Sequence, residues 1–179
     1  VQIAIQTEND IKISPFSQMT MRNNSYEYTF DTFIVGSSNE FAHAMAVAVA
    51  EKPLNNVFNP LFLYGNSGLG KTHLTLAIVS GVIEKGFTPI YGPCENLFSL
   101  IEKEKFTGEN KGSYEAMINC DLLVLDDLGA EMPSAFSKAA LYNLVNTRML
   151  SKKPTIINTN LTMKEIAERY SERVASRLI

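Results

Sequence analysis

The chain has 179 residues, enough for one domain with a real hydrophobic core. Its hydrophobic fraction of 45%, charged fraction of 20% and net charge of −3 fit a soluble globular protein and exclude a strongly basic nucleic-acid coat. No apolar run approaches the roughly 20 residues of a membrane helix, and no signal peptide shows at the start. Cys94 and Cys120 lack metal-ligand spacing and are expected to be reduced, structural thiols of a cytoplasmic protein.

Residues 1–27 are mixed polar, with Pro15 and an Asn23-Asn24-Ser25 turn, and are expected to form a tail or linker. From Tyr28 the elements alternate. A first helix is predicted from about Asn39 to Glu51, with Ser37 and Glu40 at capping-box spacing, an apolar stripe of Phe41, Ala44, Met45, Ala48 and Val49, and Pro53 as its stop. Leu61 to Tyr64 is a short apolar run suited to a strand buried on both faces. A helix from Lys71 to about Lys85 carries Leu74, Ile78 and Val82 four apart. Residues 87–91 suggest a second strand, which Pro89 assigns to a sheet edge. Residues 95–118 hold one or two helices broken at Gly108. Leu122 to Leu125 is another buried strand, Pro133 to Leu150 a long helix and Thr155 to Ile157 a fourth strand. Thr162 and Glu165 are spaced as a capping box before a last helix. Strands alternating with helices predict an α/β fold, a central parallel sheet covered on both faces.

Residues 65–72 read Gly-Asn-Ser-Gly-Leu-Gly-Lys-Thr and match the P-loop pattern G-x-x-x-x-G-K-[ST], with a buried strand before it and a helix after it. Gly65, Gly68 and Gly70 let the backbone approach phosphate, where side chains would clash. The N–H groups of the loop, Asn66, Ser67 and Leu69 included, then face the anion at a helix N-terminus. Lys71 is expected to reach the β- and γ-phosphates of ATP, and the Thr72 hydroxyl to coordinate Mg²⁺. At the end of the Leu122–Asp127 stretch, Asp126 is the expected Mg²⁺ holder, and Asp127 the residue that orients or deprotonates the attacking water. In Thr155 to Asn160, Asn160 is the choice for positioning that water, with Thr159 in reserve. Arg177 is a further candidate, with Arg169 and Arg173 competing.

With these signals in order, the chain resembles the AAA+ ATPases of bacterial replication. Tyr28 to Glu51 and Asn59 to Leu74 look like the replication initiator DnaA; Cys120 to Glu131, Leu141 to Leu161 and Arg169 to Leu178 look like the DnaC/DnaI helicase loaders. Asp126-Asp127-Leu128-Gly129-Ala130-Glu131 favours the loader branch, because initiators typically follow the aspartate pair with Ile-Gln-Phe. The resemblance implies a three-layer P-loop NTPase of AAA+ type over residues 28–179, expected to stop short of a lid. It implies an adenine pocket lined by Phe33, Ile34, Val35 and Asn39, with the nucleotide-binding set running on to His73. Asn160 becomes the first sensor, and Arg177 matches an arginine inserted into the neighbouring subunit's ATP site, so subunits would stack head to tail. The implied role is delivery of the replicative DNA helicase onto single-stranded DNA. Lys103, Lys105 and Lys111, with Phe98 and Phe106, are candidates for touching that strand, although the glutamates of residues 95–119 leave the segment net acidic. Alternatives are a DnaA-like initiator or regulator, a transposase-helper ATPase, a nucleotide-gated binding module with little hydrolysis, and a small-molecule P-loop kinase.

Overall fold

A computed structural model describes residues 28–54 and 58–178; the tail expected over residues 1–27 lies outside them. Four strands, β1 (Leu61–Tyr64), β2 (Pro89–Pro93), β3 (Leu122–Leu128) and β4 (Thr155–Thr159), form one sheet in the order β1-β4-β3-β2, every pair parallel. The helices are α1 (Glu40–Glu51), α2 (Lys71–Glu84), α3 (Cys94–Thr107), α4 (Ser113–Asn119), α5 (Ala135–Leu150), α6 (Met163–Arg169) and α7 (Glu172–Leu178).

Alternation along the strands divides the core. Leu61, Leu63, Tyr91, Leu122, Val124 and Ile156 point to one face, where α1 and α2 pack with Ala46, Val49, Ala50, Leu74, Ile78 and Val82. Ile90, Leu123, Leu125 and Ile157 point to the other face, covered by α3 to α7 through residues such as Leu97, Leu141, Leu144, Ile166 and Val174. The result is a three-layer α/β/α domain. Pro89 opens β2, an edge strand, as its missing N–H demands.

The structure corrects several local expectations. The first helix has no Ser37–Glu40 box: Asn39 holds the N-cap position without a side-chain cap bond, and its amide is turned back to the segment before it, Oδ1 accepting from the Gly36 N–H at 2.7 Å and Nδ2 donating to the Ile34 carbonyl at 3.0 Å. Its buried residues are Ala46, Val49 and Ala50, whereas Phe41 and Ala44 are exposed; small side chains allow α1 to lie close against α2. The second strand runs two residues later than 87–91. The last helix is two, broken between Arg169 and Glu172. The Thr162–Glu165 box is present with both reciprocal bonds, and α5 has one that the sequence reading missed, between Ser134 and Ser137.

Arg148, fully buried on α5, also went unread. Its Nε donates to the Thr155 hydroxyl at 3.0 Å, and its two terminal nitrogens donate to the carbonyls of Met117 (2.8 Å), Ile118 (2.9 Å), Cys120 (3.0 Å) and Pro154 (2.6 Å). A guanidinium thereby satisfies the carbonyl end of α4 and the entry to β3 and β4 at once. Cys94 and Cys120 are free and buried, and burial pushes both thiols above their ordinary range.

Candidate functional site

The strand register builds the site. Tyr64 at the end of β1 lies opposite Thr159 at the end of β4, so the loop starting at Gly65 rises beside Asn160. Ligands of open parallel sheets sit at these carboxyl ends. Gly65, Gly68 and Gly70 all have positive φ (145°, 82° and 81°), and Gly70 is the left-handed N-cap of α2. Asn66, Ser67, Gly68 and Leu69 are exposed, leaving the outer side of the loop open. Lys71 Nζ lies within the loop, donating to the carbonyls of Gly65 (2.7 Å) and Asn66 (2.8 Å) and to Asn160 Oδ1 (2.9 Å). Partial burial lowers its pKa, against the pull of Asp127 and Asp126.

On β3 the ladder to β4 gains one residue: Leu125 pairs with Ile157, but Leu128 pairs with Thr159. This bulge falls on the aspartate pair and gives its members opposite environments. Asp126 is 7% exposed and accepts from Tyr91 Oη at 2.5 Å, Asn158 Nδ2 at 2.8 Å and the Asp127 N–H at 3.1 Å. The Thr72 hydroxyl reaches its two oxygens at 3.5 and 3.4 Å. Burial first, then Asp126, pushes the Tyr91 hydroxyl well above its ordinary pKa, so it remains a donor. Asp127 is exposed, stands at φ 52°, and meets Asn160 Nδ2 at 3.4 Å. Thr159, the reserve candidate, has its hydroxyl committed to the Leu128 carbonyl at 2.5 Å.

A strap over residues 28–36 lies against the start of α2. Phe33 is buried; its ring stacks on His43 with centroids 5.7 Å apart and meets His73 edge-on at 5.2 Å. His73 Nε2 is 2.8 Å from the Thr29 carbonyl oxygen. A Cβ on Gly70 would stand 2.7 Å from the Phe33 ring, so the loop glycine also admits this aromatic. Ile34 (88% exposed) and Val35 present an open apolar ledge beside it, held by Asn39.

Arg177 is elsewhere. It lines a groove with Pro60, Leu61 and Met149, at the end of β1 opposite the P-loop, and its Nε donates to Asn146 Oδ1 at 3.1 Å. Arg173 is exposed; Arg169 donates to the Glu131 carbonyl at 2.5 Å, tying α6 to the segment after β3. Of the basic and aromatic residues in 95–119, Lys103, Lys105, Lys111 and Phe106 are exposed, but Phe98 is a core residue, which removes it from any surface contact. Glu104 is not a bare solvated charge: it accepts from the N–H groups of Gly112 and Tyr114, both at 2.9 Å, capping α4 from its neighbour.

The donor set fits a nucleoside triphosphate with a hard cation. A hydroxyl and a carboxylate, Thr72 and Asp126, converge next to an anion cradle, and hard oxygen donors few in number are how Mg²⁺ is held with substrate phosphates. Comparison with known proteins identifies the family. Residues 24–179 match the family model of the bacterial DnaA ATPase domain. The chain belongs to that family. The chromosomal replication initiator protein DnaA of Lachnoclostridium phytofermentans is 34% identical over 187 aligned positions, which cover 98% of this chain and 38% of the relative. The chain therefore spans about two fifths of that curated relative. Among solved structures, a replication initiator DnaA bound to AMPPCP and single-stranded DNA superposes with a TM-score of 0.78 at 26% identity, covering 85% of this chain and 47% of that one. The DnaC helicase loader superposes at 0.76 with 24% identity over 87% of this chain and 94% of its own, a likeness of fold.

These matches favour the initiator alternative over the loader branch. The residues that suggested it answer a local packing demand. Gly129 has φ 103°, and a Cβ there would stand 2.6 Å from Leu161. Glu131 is buried, accepts from the Gly129 N–H at 2.9 Å, and is hydrogen-bonded by the Tyr170 hydroxyl. In this chain the turn beside α6 uses that glycine and glutamate. Among the described residues no helix is long and apolar enough to cross a membrane.

Proposed function

We propose that residues 28–179 form the ATP-binding and ATP-hydrolysing core of a cytoplasmic, DnaA-type replication protein, preceded by a tail over residues 1–27. The convergence of Lys71, Thr72, Asp126, Asp127 and Asn160 at the carboxyl ends of β1, β3 and β4 carries the reading. The N–H groups of residues 65–72 and the Lys71 ammonium hold the phosphates. Thr72 and Asp126 hold Mg²⁺, which when bound neutralises charge on the phosphate oxygens. Asp127 accepts a proton from the attacking water or orients it, and Asn160, bonded to both Asp127 and Lys71, fixes its place. Adenine rests on the Ile34–Val35 ledge beside Phe33, with Asn39 and His73 stiffening the strap.

Arg177, facing away from its own phosphate site, serves a neighbouring subunit; head-to-tail stacking follows. Lys103, Lys105, Lys111 and Phe106 form the face offered to single-stranded DNA. Lys105 Nζ sits 5.6 Å from the Phe106 ring and 5.7 Å from that of Phe136, leaving the ammonium on an aromatic platform. Control of origin DNA, as in an initiator, is the leading role. Delivery of the replicative helicase is the second reading, supported by the loader-like stretch from Asp126 to Glu131.

Phosphate release measured with and without Mg²⁺ tests the core reading. Turnover that needs Lys71 and Mg²⁺ supports it; phosphate passed to a metabolite with little free phosphate overturns it in favour of a kinase. Capture of the replicative helicase in an ATP-dependent manner would move the role to the loader reading.

A further inference from the structure

Asn158 is 1% exposed on β4, inside the bulge where β3 carries its extra residue. It spends both amide hydrogens, on Asp126 Oδ1 at 2.8 Å and on Thr75 Oγ1 at 2.5 Å, while its own Oδ1 is buried with no partner. The reverse amide orientation would set two acceptors against each other. An unpaired buried acceptor costs about 1–3 kcal/mol, so stability alone does not favour asparagine at this position. Thr75 donates onward to the Lys71 carbonyl at 2.7 Å, in the first turn of α2. From the other side, Tyr91 on β2 gives its hydroxyl to Asp126 Oδ2. Three neighbouring strands and the P-loop helix are thus joined through one carboxylate, whose remaining open side faces Thr72.

We propose that Tyr91 and Asn158 are positioning residues that hold the Asp126 carboxylate in the orientation that takes Mg²⁺ beside Thr72. The proposal rests on the reading of Asp126 as a metal holder. Their hydrogen bonds go to Asp126 and Thr75, and neither is among the residues assigned above to the nucleotide or the attacking water. They act as outer partners of a ligating carboxylate, whose loss typically costs about 10- to 100-fold in metal affinity or activity.

The test is the Mg²⁺ concentration that half-saturates tightened binding of a fluorescent, non-hydrolysable ATP analogue, measured for the wild type and for Tyr91→Phe, Asn158→Leu and Asp126→Ala. Tyr91→Phe removes only a hydroxyl. Asn158→Leu is close in size and deletes the unpaired oxygen together with the donors, so much of the stability loss is offset. Analogue affinity in EDTA should be unchanged in both, with the Mg²⁺ midpoint raised about tenfold or more. Thermal melting on the same samples separates orientation from folding. If Asp126→Ala raises the midpoint and the other two leave it at the wild-type value, whatever their melting temperatures, the positioning role is overturned and the Asp126 reading stands. If Asp126→Ala itself leaves the midpoint in place, the metal-holder reading fails and the inference goes with it.

Discussion

Substitution of Asp127 separates chemistry from backbone strain. The residue stands at φ 52°, where an ordinary L-residue pays about 1–2 kcal/mol and aspartate or asparagine pays less, because a short polar side chain bonds locally. Its side chain is exposed and its hydrogen bond from Asn160 is long, at 3.4 Å, so its contacts contribute little. Asp127→Asn should therefore stay within about 0.5 kcal/mol of the wild type. Asp127→Ala should lose about 1 kcal/mol, a drop of roughly 2–4 °C in melting temperature for a domain this size. Asp127→Gly should stay within about 1 kcal/mol of the wild type, since glycine meets no steric cost at positive φ but loses more chain entropy on folding. The rates should ignore this ranking. If Asp127 orients or deprotonates water, all three lower ATP turnover about 10²- to 10⁴-fold while ATP binding holds. Phosphate release under single-turnover conditions and a melting curve on each protein provide both axes. A glycine variant that turns over ATP at the wild-type rate would refute the catalytic role; an alanine variant as stable as asparagine would refute the strain argument.

Other outcomes follow from the same geometry. Lys71→Ala should weaken ATP binding about 10- to 100-fold, the value of one charge-assisted contact of about 1.5–3 kcal/mol, with little change in melting because its present partners are reachable by water. Arg148→Met strands the carbonyls of Met117, Ile118, Cys120 and Pro154; urea unfolding should show a loss of about 3–5 kcal/mol, and a loss under 1 kcal/mol would mean the buried charge costs as much as it satisfies. Thr162→Ala should cost about 1 kcal/mol by breaking the cap of α6. Hydrogen bonds from the Thr162 backbone N–H and hydroxyl hold the Glu165 carboxyl below its ordinary pKa. That contribution is complete above the unfolded value near 4.3 and fades as pH falls through the lower folded value, so the gap between wild type and Thr162→Ala should narrow in acid.

Much of the fold was legible because its signals are periodic or punctuated. Leu122 to Leu125 could only be a strand buried on both sides, and Gly108 and Pro89 marked a helix end and a sheet edge. The P-loop residues were legible for a different reason: a backbone wrapped round an anion tolerates few side chains, so its glycines are spaced by chemistry. What escaped depends on contacts between distant segments. Arg148 looks like any helix-end arginine until β3, β4 and the end of α4 surround it. Phe98 could not be told from Phe106 because eight residues of helix turn a side chain by only about 80°, and how α3 docks decides which of the two is buried, here Phe98. Asn39 stands at the N-cap position with its amide spent on Ile34 and Gly36 of the strap and none on the helix, a geometry that spacing rules do not see.

The aspartate pair shows where the limit falls. Two identical residues, one after the other, would alternate inward and outward on any regular strand, and the sequence yields no more than that. The extra residue of β3 between Leu125 and Leu128 changes the outcome. Within the bulge Asp126 accepts from Tyr91 on β2 and Asn158 on β4, while Asp127 takes a left-handed backbone there, beside Asn160. One carboxylate is thereby fixed by several donors and suited to a cation; its neighbour is nearly free of them and suited to a proton. Bulges in parallel sheets are uncommon. Leu125 pairs with Ile157 and Leu128 with Thr159, so the extra residue falls between those pairings, where Asn158 meets Asp126 and Asn160 meets Asp127.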